Sequence, residues 1–209
     1  MKINFIIINY LSFIITLVGF FGCNSKIKPI IKPTDLNENC IKGMVVLEKN
    51  AFLSCPIIKG PDSVISFLEK KSGFFRNKEF DFGNGSVRFN AKNADFLSYK
   101  LKDEKSLFLL NYFKNEQGKE VFLLFQAIYY FENEDDKNRC YQNIVHVIEN
   151  ELHLNPEIKF TLNGQSYKRY YLSCGSGFNL KHSEVGSDSQ IIDILWMPEY
   201  SQKIIINTK

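Results

Sequence analysis

The chain has 209 residues, of which 44% are hydrophobic and 23% charged, with a formal net charge of +3 at pH 7. A chain of this length buries around 70% of its unfolded surface, so we expect one domain with a sizeable core. Its positive and negative charges are nearly balanced, whereas a nucleic-acid-binding protein has a concentrated basic surface. We therefore predict no nucleic-acid partner.

Residues 1–22 have the pattern of a secretory signal peptide. Lys2 supplies a positive charge, and the run from Ile3 to Phe21 is apolar apart from a few polar residues. A charged start, an apolar stretch and a small residue before the cleavage point are typical of an export signal. An uncleaved membrane-spanning helix and ordinary cleavage at another position are the alternatives. All three interpretations predict that the body of the protein is exported.

The end of this run, Phe20-Phe21-Gly22-Cys23, resembles the lipobox of bacterial lipoproteins. Gly22 and Cys23 match that motif, whereas Phe20 and Phe21 are bulkier than its usual Leu and small residue. The resemblance implies that Cys23 is acylated, becomes the new N-terminus and attaches the protein to a membrane. Asn24, in place of the Asp that resembles an inner-membrane retention signal, favours the outer membrane over the inner one.

The sequence of residues 23–39 indicates an acylated Cys followed by a flexible tether. The segment holds Pro29, Pro33 and three lysines, and it has no periodic apolar face. In an extended form it would reach roughly 50 Å. Removal of residues 1–22 also removes Lys2, which lowers the net charge from +3 to +2. We expect the folded domain to occupy residues 40–209.

Five cysteines are present, and four remain for pairing if Cys23 carries lipid. An even number in an oxidising compartment predicts two disulfides. We expect Cys40 to pair with Cys55, and Cys140 with Cys174, because each pair would join neighbouring elements; buried free thiols are the alternative. The sequence has no CxxC motif and no Cys–His pair at ligand spacing, so we predict no metal site and no cofactor.

The first part of the domain predicts a hairpin and then a helix. The apolar segments Met44–Leu47 and Ala51–Ile58 are separated by three polar residues, which favours a β-hairpin. The sequence Gly60-Pro61-Asp62-Ser63 is typical of a helix start, and Ser72-Gly73 of a helix end. We therefore expect a helix between residues 62 and 71.

Strand patterns follow. The dipeptide Asn84-Gly85 favours a type I′ turn, and we expect it to place Phe80 opposite Phe89 in a hairpin. Residues 107–113 and 121–131 are apolar at both odd and even positions. Such runs are typical of central strands that are covered on both faces.

A second helix is predicted over residues 135–152. The acidic run from Glu132 to Asp136 places carboxylates at its N-terminus, where the helix dipole favours them. Calcium binding is a weaker interpretation of this run, since the ligand order of an EF-hand is absent. The apolar stripe of this helix consists of Cys140, Ile144, Val147, Ile148 and Leu152.

The remaining pattern predicts a hairpin around Asn163-Gly164, a polar loop over 175–189, a buried strand over 191–197 and an edge strand at 204–206. The fold class is therefore α+β, a mostly antiparallel sheet with two amphipathic helices packed on one face. A division into two helix-plus-meander lobes, with a boundary near residue 133, is an alternative.

Candidate catalytic residues lie in or beside the 175–189 loop. Ser176 or Ser183 could pair with His182 and Glu184, the residue types of a hydrolytic triad. Neighbouring residues on an extended loop point in different directions, however, so closeness in sequence is weak support. His146 and His153 lie seven residues apart on the second helix, too far to bind one ion, and we expect them on a solvated face.

The function expected from these patterns is that of a lipid-anchored cell-envelope protein, a binding module without enzymatic activity. We expect it to contact the membrane through acylated Cys23 and a protein or envelope component through its sheet face or the 175–189 loop. A periplasmic or surface hydrolase using that loop is one alternative. A carrier of a small apolar ligand, held between helix and sheet, is the other.

Overall fold

The structure is a computed structural model that describes residues 38–80, 85–115, 117–160, 165–182 and 191–198. The predicted signal segment, Cys23, residues 23–37 of the predicted tether and the expected strand at 204–206 lie outside the described residues. Within them, the predicted α+β class with its large antiparallel sheet is confirmed.

Three α-helices lie in the described residues, and two of them match the predicted helices. The helix expected between residues 62 and 71 begins at Pro61, since proline is tolerated in a first turn. The helix expected over 135–152 is capped by Asn133, whose side chain accepts a hydrogen bond from Asp136 N at 2.8 Å. Capping therefore accounts for the acidic run. The helices are α1 (Glu38–Ala51), α2 (Pro61–Lys70) and α3 (Glu134–His146), with a π-helical turn (Val147–Glu151) after α3.

Helix α1 occupies the segment for which the sequence analysis predicted a hairpin, so that prediction is wrong. Ile41 and Lys42 are both exposed, and Gly43 and Met44 after them are both buried, which the alternation of a strand would not give. The buried positions recur at the spacing of one helical face. They are Cys40, Gly43, Met44, Leu47 and Ala51.

The described strands form one antiparallel sheet of eight strands, in the order β1-β2-β5-β6-β10-β9-β8-β7, and a separate hairpin of β3 and β4. Strand β6 lies before residue 133 and pairs with β10, which lies after it. The sheet is therefore continuous across the lobe boundary considered above. The strands are β1 (Phe74–Arg76), β2 (Ser86–Ala91), β3 (Asp95–Phe96), β4 (Tyr99–Lys100), β5 (Leu107–Lys114), β6 (Glu120–Tyr130), β7 (Glu157–Phe160), β8 (Ser166–Tyr171), β9 (Gly177–His182) and β10 (Ile191–Met197).

The partner of β2 differs from the one predicted. Arg76 of β1, and not Phe80, lies opposite Phe89. The chain leaves the sheet after Arg76 because the Asn77 side chain accepts a hydrogen bond from Glu79 N at 3.2 Å, which starts a 3₁₀ turn over Lys78–Phe80.

Strand β9 lies within the segment predicted to be a polar loop. Phe178 and Leu180 alternate with polar residues and are fully buried, and β9 pairs with both β8 and β10. The prediction of a loop over the whole of 175–189 is therefore wrong for residues 177–182, and residues 183–190 lie outside the described part. The strand predicted over 191–197 is confirmed as β10. The hairpin predicted around Asn163-Gly164 corresponds to β7 and β8.

One face of the sheet, here called the inner face, packs against the helices. A cross-strand row on this face runs over six strands and is largely aromatic; it consists of Tyr170, Phe178, Trp196, Phe125, Leu110 and Val87. A bulge in β6 shifts the register between Asn111 and Tyr112, so that Phe122 is buried as well as Phe125. The opposite, outer face is half-exposed on β5 and β6, so these strands are not fully covered on both faces as predicted.

Aromatic contacts join β6 to the elements around it. Phe52, directly after α1, packs on Phe125 with ring centroids 5.2 Å apart. The Tyr129 hydroxyl donates a hydrogen bond to Ala51 O at 2.8 Å, and its ring stacks on Phe96 of β3 at 4.2 Å. The end of α1 and the small hairpin are thus both held against the inner face.

The disulfide pairing also differs from the expected one. Cys40 of α1 is bonded to Cys174, which follows β8, across a sequence separation of 134. Gly43 makes this approach possible, since a Cβ there would lie 2.9 Å from Leu172 Cδ2. Cys55 and Cys140, each expected in a disulfide, are buried free thiols. No helix in the described ranges is long and apolar enough to cross a membrane.

Neighbouring residues of β6 offer a stability test of this packing. Phe125 is fully buried on the inner face, whereas Leu124 is half-buried on the outer face. We expect Phe125→Ala to lower the free energy of unfolding by about 3–5 kcal/mol. Leu124→Ala should cost only about 1 kcal/mol, because less surface leaves water at that position. Urea denaturation measures both values, and equal losses would contradict the assignment of the two faces.

Candidate functional site

The structure separates two of the residues considered for catalysis. His182 ends β9, while Ser176 immediately precedes the first residue of that strand, Gly177. The rise of a strand places Gly177 and His182 about 16 Å apart. Ser176 and His182 therefore cannot form a nucleophile–base pair. Ser183 and Glu184 lie outside the described residues.

Ser176 lies in the turn that follows β8, and it is buried. Its Oγ lies 3.4 Å from Sγ of Cys174, the cysteine that is bonded to Cys40. Ser176 O also accepts a hydrogen bond from Leu172 N at 2.8 Å. These contacts give Ser176 a structural role in closing the turn that carries the disulfide.

A second group of polar contacts centres on Glu149, which the sequence analysis did not select. Glu149 lies in the π-helical turn after α3, where Leu152 N donates to Val147 O at 3.1 Å. Its Oε1 accepts hydrogen bonds from Lys168 Nζ at 2.8 Å and from the Tyr170 hydroxyl at 2.7 Å. Turns of π-helix are frequent at functional sites.

Two aromatic contacts fix the surroundings of this carboxylate. The Tyr170 ring stacks on Phe178 of β9 with centroids 5.0 Å apart. The Tyr141 ring of α3 packs on the His182 ring at 3.8 Å. The end of α3 is thereby held over β8 and β9. We call Glu149, Lys168, Tyr170, Tyr141 and His182 the α3–β8 cluster.

The electrostatics of the cluster favour a fixed ion pair. Partial burial acts to raise the pKa of Glu149, but the hydrogen bonds from Lys168 and Tyr170 and the charge of Lys168 outweigh it, so the pKa lies below its usual value. Burial and the contact with Glu149 raise the pKa of Tyr170, which keeps its hydroxyl protonated as a donor. This arrangement is suited to locking α3 onto the sheet.

Beside the cluster, the sheet ends in an exposed apolar edge. Ile158 lies opposite Lys168 and Phe160 opposite Ser166, so both side chains belong to the inner face. They lie beyond the cover of the helices, with 54% and 69% of their surface exposed. These are the most exposed large apolar side chains in the described part of the chain. We call residues 157–160 the β7 edge.

The buried thiols do not form a reactive site. Burial raises the pKa of Cys140 to about 12, and that of Cys55 further. The thiolate is the reactive form, so both groups are unreactive at neutral pH. Among the described residues, no group of His, Cys, Asp and Glu is arranged to hold a metal ion. His146 and His153 are exposed, as predicted.

Little in the sequence predicts the α3–β8 cluster. Lys168 and Tyr170 are two residues apart in a strand and so share a face, which was a usable signal. Glu149 had no such signal, because its position depends on how α3 lies over the sheet. The single tryptophan, Trp196, is buried and packs edge-on against Phe122, as expected for a core residue.

Comparison with models of protein families, with curated proteins and with solved structures finds no match for this chain. Function is therefore inferred from its own residues.

The low pKa of Glu149 predicts a pH-dependent stability. A carboxylate whose pKa is lower in the folded than in the unfolded state stabilises the fold above the unfolded pKa, and this stabilisation is lost as the pH falls through the folded pKa. We expect Glu149→Gln to cost about 1 kcal/mol at pH 7 and to flatten the loss of stability between about pH 5 and pH 3.

Urea denaturation across this pH range measures the effect. Glu151→Gln is the matched control, since Glu151 is exposed in the same π-helical turn. If both variants keep the wild-type pH profile, the ion pair with Lys168 does not contribute to stability.

Proposed function

We propose that this chain is a lipid-anchored cell-envelope protein whose α+β domain acts as a binding module. The anchor is Cys23, in a sequence that resembles the lipobox of bacterial lipoproteins. Each buried CH₂ of an acyl chain contributes about 0.8 kcal/mol, so two or more chains hold a protein stably on a membrane. The residue after the Cys, Asn24, favours transport to an outer membrane.

The observation that carries this proposal is the bond between Cys40 and Cys174. Structural disulfides persist in exported proteins and are rare where thiols are kept reduced. Export is what the signal pattern of residues 1–22 also predicts. The two remaining thiols, Cys55 and Cys140, are buried with raised pKa values, which protects them from exchange with the disulfide once the domain has folded.

A role in binding is supported by the β7 edge. Exposed apolar side chains on the edge of a sheet are a liability for an isolated protein, and natural edges usually carry charges, prolines or a covering element. The β7 edge carries the charged Glu157 and Lys159, but it also keeps the apolar Ile158 and Phe160 in contact with solvent. The ion pair between Glu149 and Lys168 fixes the end of α3 over β8, the strand that pairs with β7.

The anchor is tested by metabolic labelling with a radioactive fatty acid. We expect the wild-type chain to be labelled and Cys23→Ser to lose the label, because no other residue of the motif can be S-acylated. Asn24→Ser, which keeps Cys23, is the matched control and should label like the wild type. Equal labelling of wild type and Cys23→Ser would refute the lipid anchor.

The compartment is tested by counting thiols in the membrane-bound protein. Denaturation without reductant, followed by a maleimide that adds mass, should modify Cys55 and Cys140 only; after reduction, four cysteines should react. Cys40→Ser should give three reactive thiols before reduction, because it releases Cys174. Four reactive thiols in the unreduced wild-type protein would contradict export into an oxidising compartment.

A further inference from the structure

The two edges of the eight-stranded sheet differ in how they are protected. Strand β1 has three residues, and its Arg76 forms an ion pair with Glu69 of α2, with Nη1 and Oε1 3.1 Å apart. Helix α2 thus lies beside that edge. Strand β7 pairs with β8 on one side, and no described residue pairs with its other side. Among the described residues, β7 is therefore an edge strand, whose backbone N–H and C=O groups on that side are the kind that a further strand pairs with.

The sequence of β7 is self-complementary when two copies run antiparallel. With Ile158 on a two-fold axis, Glu157 of each copy lies opposite Lys159 of the other. Opposite charges that face each other across two strands stabilise the pair, and like charges destabilise it. The same register brings Phe160 opposite Pro156, so apolar groups meet beside the charged pairs.

We propose that two copies of this chain associate through β7, with Ile158 on the two-fold axis, Glu157 opposite the partner's Lys159, and Lys159 opposite the partner's Glu157. The two sheets then join edge to edge with their inner faces on the same side. An isologous contact of this kind closes as a dimer and does not propagate.

The charges of Glu157 and Lys159 favour this register over those in which the two-fold axis lies one residue to either side. A two-fold axis at Glu157 would place two carboxylates opposite each other, and an axis at Lys159 would place two ammonium groups opposite each other. In the single copy, Glu157 and Lys159 contact each other, with Oε2 and Nζ 2.9 Å apart and both side chains about half exposed. They can therefore turn toward a partner at little cost.

The dimer also covers the most exposed apolar surface of the described chain. Ile158 of each copy lies against Ile158 of the other, and Phe160 leaves water together with Pro156. Both residues project from the inner face of the sheet. The proposal concerns the folded domain and is independent of acylation, so failure of one does not imply failure of the other.

Charge reversal on the full chain, purified in detergent, tests this dimer by sedimentation velocity. Lys159→Glu or Glu157→Lys alone should weaken dimerisation by about 10- to 30-fold, because each replaces two attractions by two repulsions. The double variant Glu157→Lys/Lys159→Glu should restore it. An equimolar mixture of the two single variants should form a heterodimer, since all four charges are then matched.

Lys42→Glu is the matched control, because Lys42 forms an exposed ion pair with Glu38 on α1, and it should leave the dimer unchanged. Far-UV circular dichroism verifies that each variant is folded. A wild-type chain that stays monomeric up to about 100 µM overturns the proposal. The proposal is then wrong even if the β7 edge binds a strand of another protein. Single variants that dimerise like the wild type also overturn it, as does a mixture that forms no heterodimer.

Ile158→Cys gives a second measurement that does not depend on charge. Directly opposite residues of an antiparallel pair have Cα atoms about 4.5–5.5 Å apart, within the range that a disulfide spans. We expect Ile158→Cys to form a covalent dimer in an oxidising buffer and Phe160→Cys, which lies opposite Pro156, to form little. Equal cross-linking of the two variants would contradict the register.

Discussion

The packing of aromatic side chains along the inner face of β6 is the interaction on which the rest of the described fold depends. Phe125 contacts Phe52 after α1 and Phe108 of β5, and Tyr129 contacts Phe96 of β3 and the backbone of Ala51. One strand therefore positions a helix, a neighbouring strand and the small hairpin. Because β6 also pairs with β5 and β10, the same strand carries the hydrogen bonds at the centre of the sheet.

The elements that the sequence predicted correctly are those whose apolar pattern follows a clear start signal. Helix α3 had both a capping run and an apolar stripe, and β10 was a short apolar run with turn residues before it. Helix α1 was misread because Met44–Leu47 is a continuous apolar run, and short runs do not distinguish helix from strand. The helix was indicated instead by the residues between Cys40 and Ala51 that recur at the spacing of one helical face. In β9, Phe178 and Leu180 alternate, but the Gly- and Ser-rich flanks obscured the strand.

The disulfide and the α3–β8 cluster depend on tertiary arrangement and were not predictable from local pattern. Cys40 and Cys174 meet because the sheet order brings the turn after β8 beside α1, and proximity in sequence favoured other pairs. Glu149 meets Lys168 and Tyr170 for a similar reason, since α3 crosses the end of β8. The exposed apolar residues of β7 were visible in the sequence, but only the strand order reveals that they lie at an edge.

The position of the disulfide has a mechanical consequence. Cys40 lies two residues after the start of α1, and its bond to Cys174 closes a covalent ring that runs from α1 through β8 and leaves β9 and β10 outside it. Tension applied at residue 38 would pass through this bond directly into the turn between β8 and β9. Helix α1 could not be peeled from the sheet one turn at a time, and the residues between the two cysteines could not be stretched out. In a protein held at its N-terminal end, tension would therefore act on the sheet at β8 and β9 and not on helix α1.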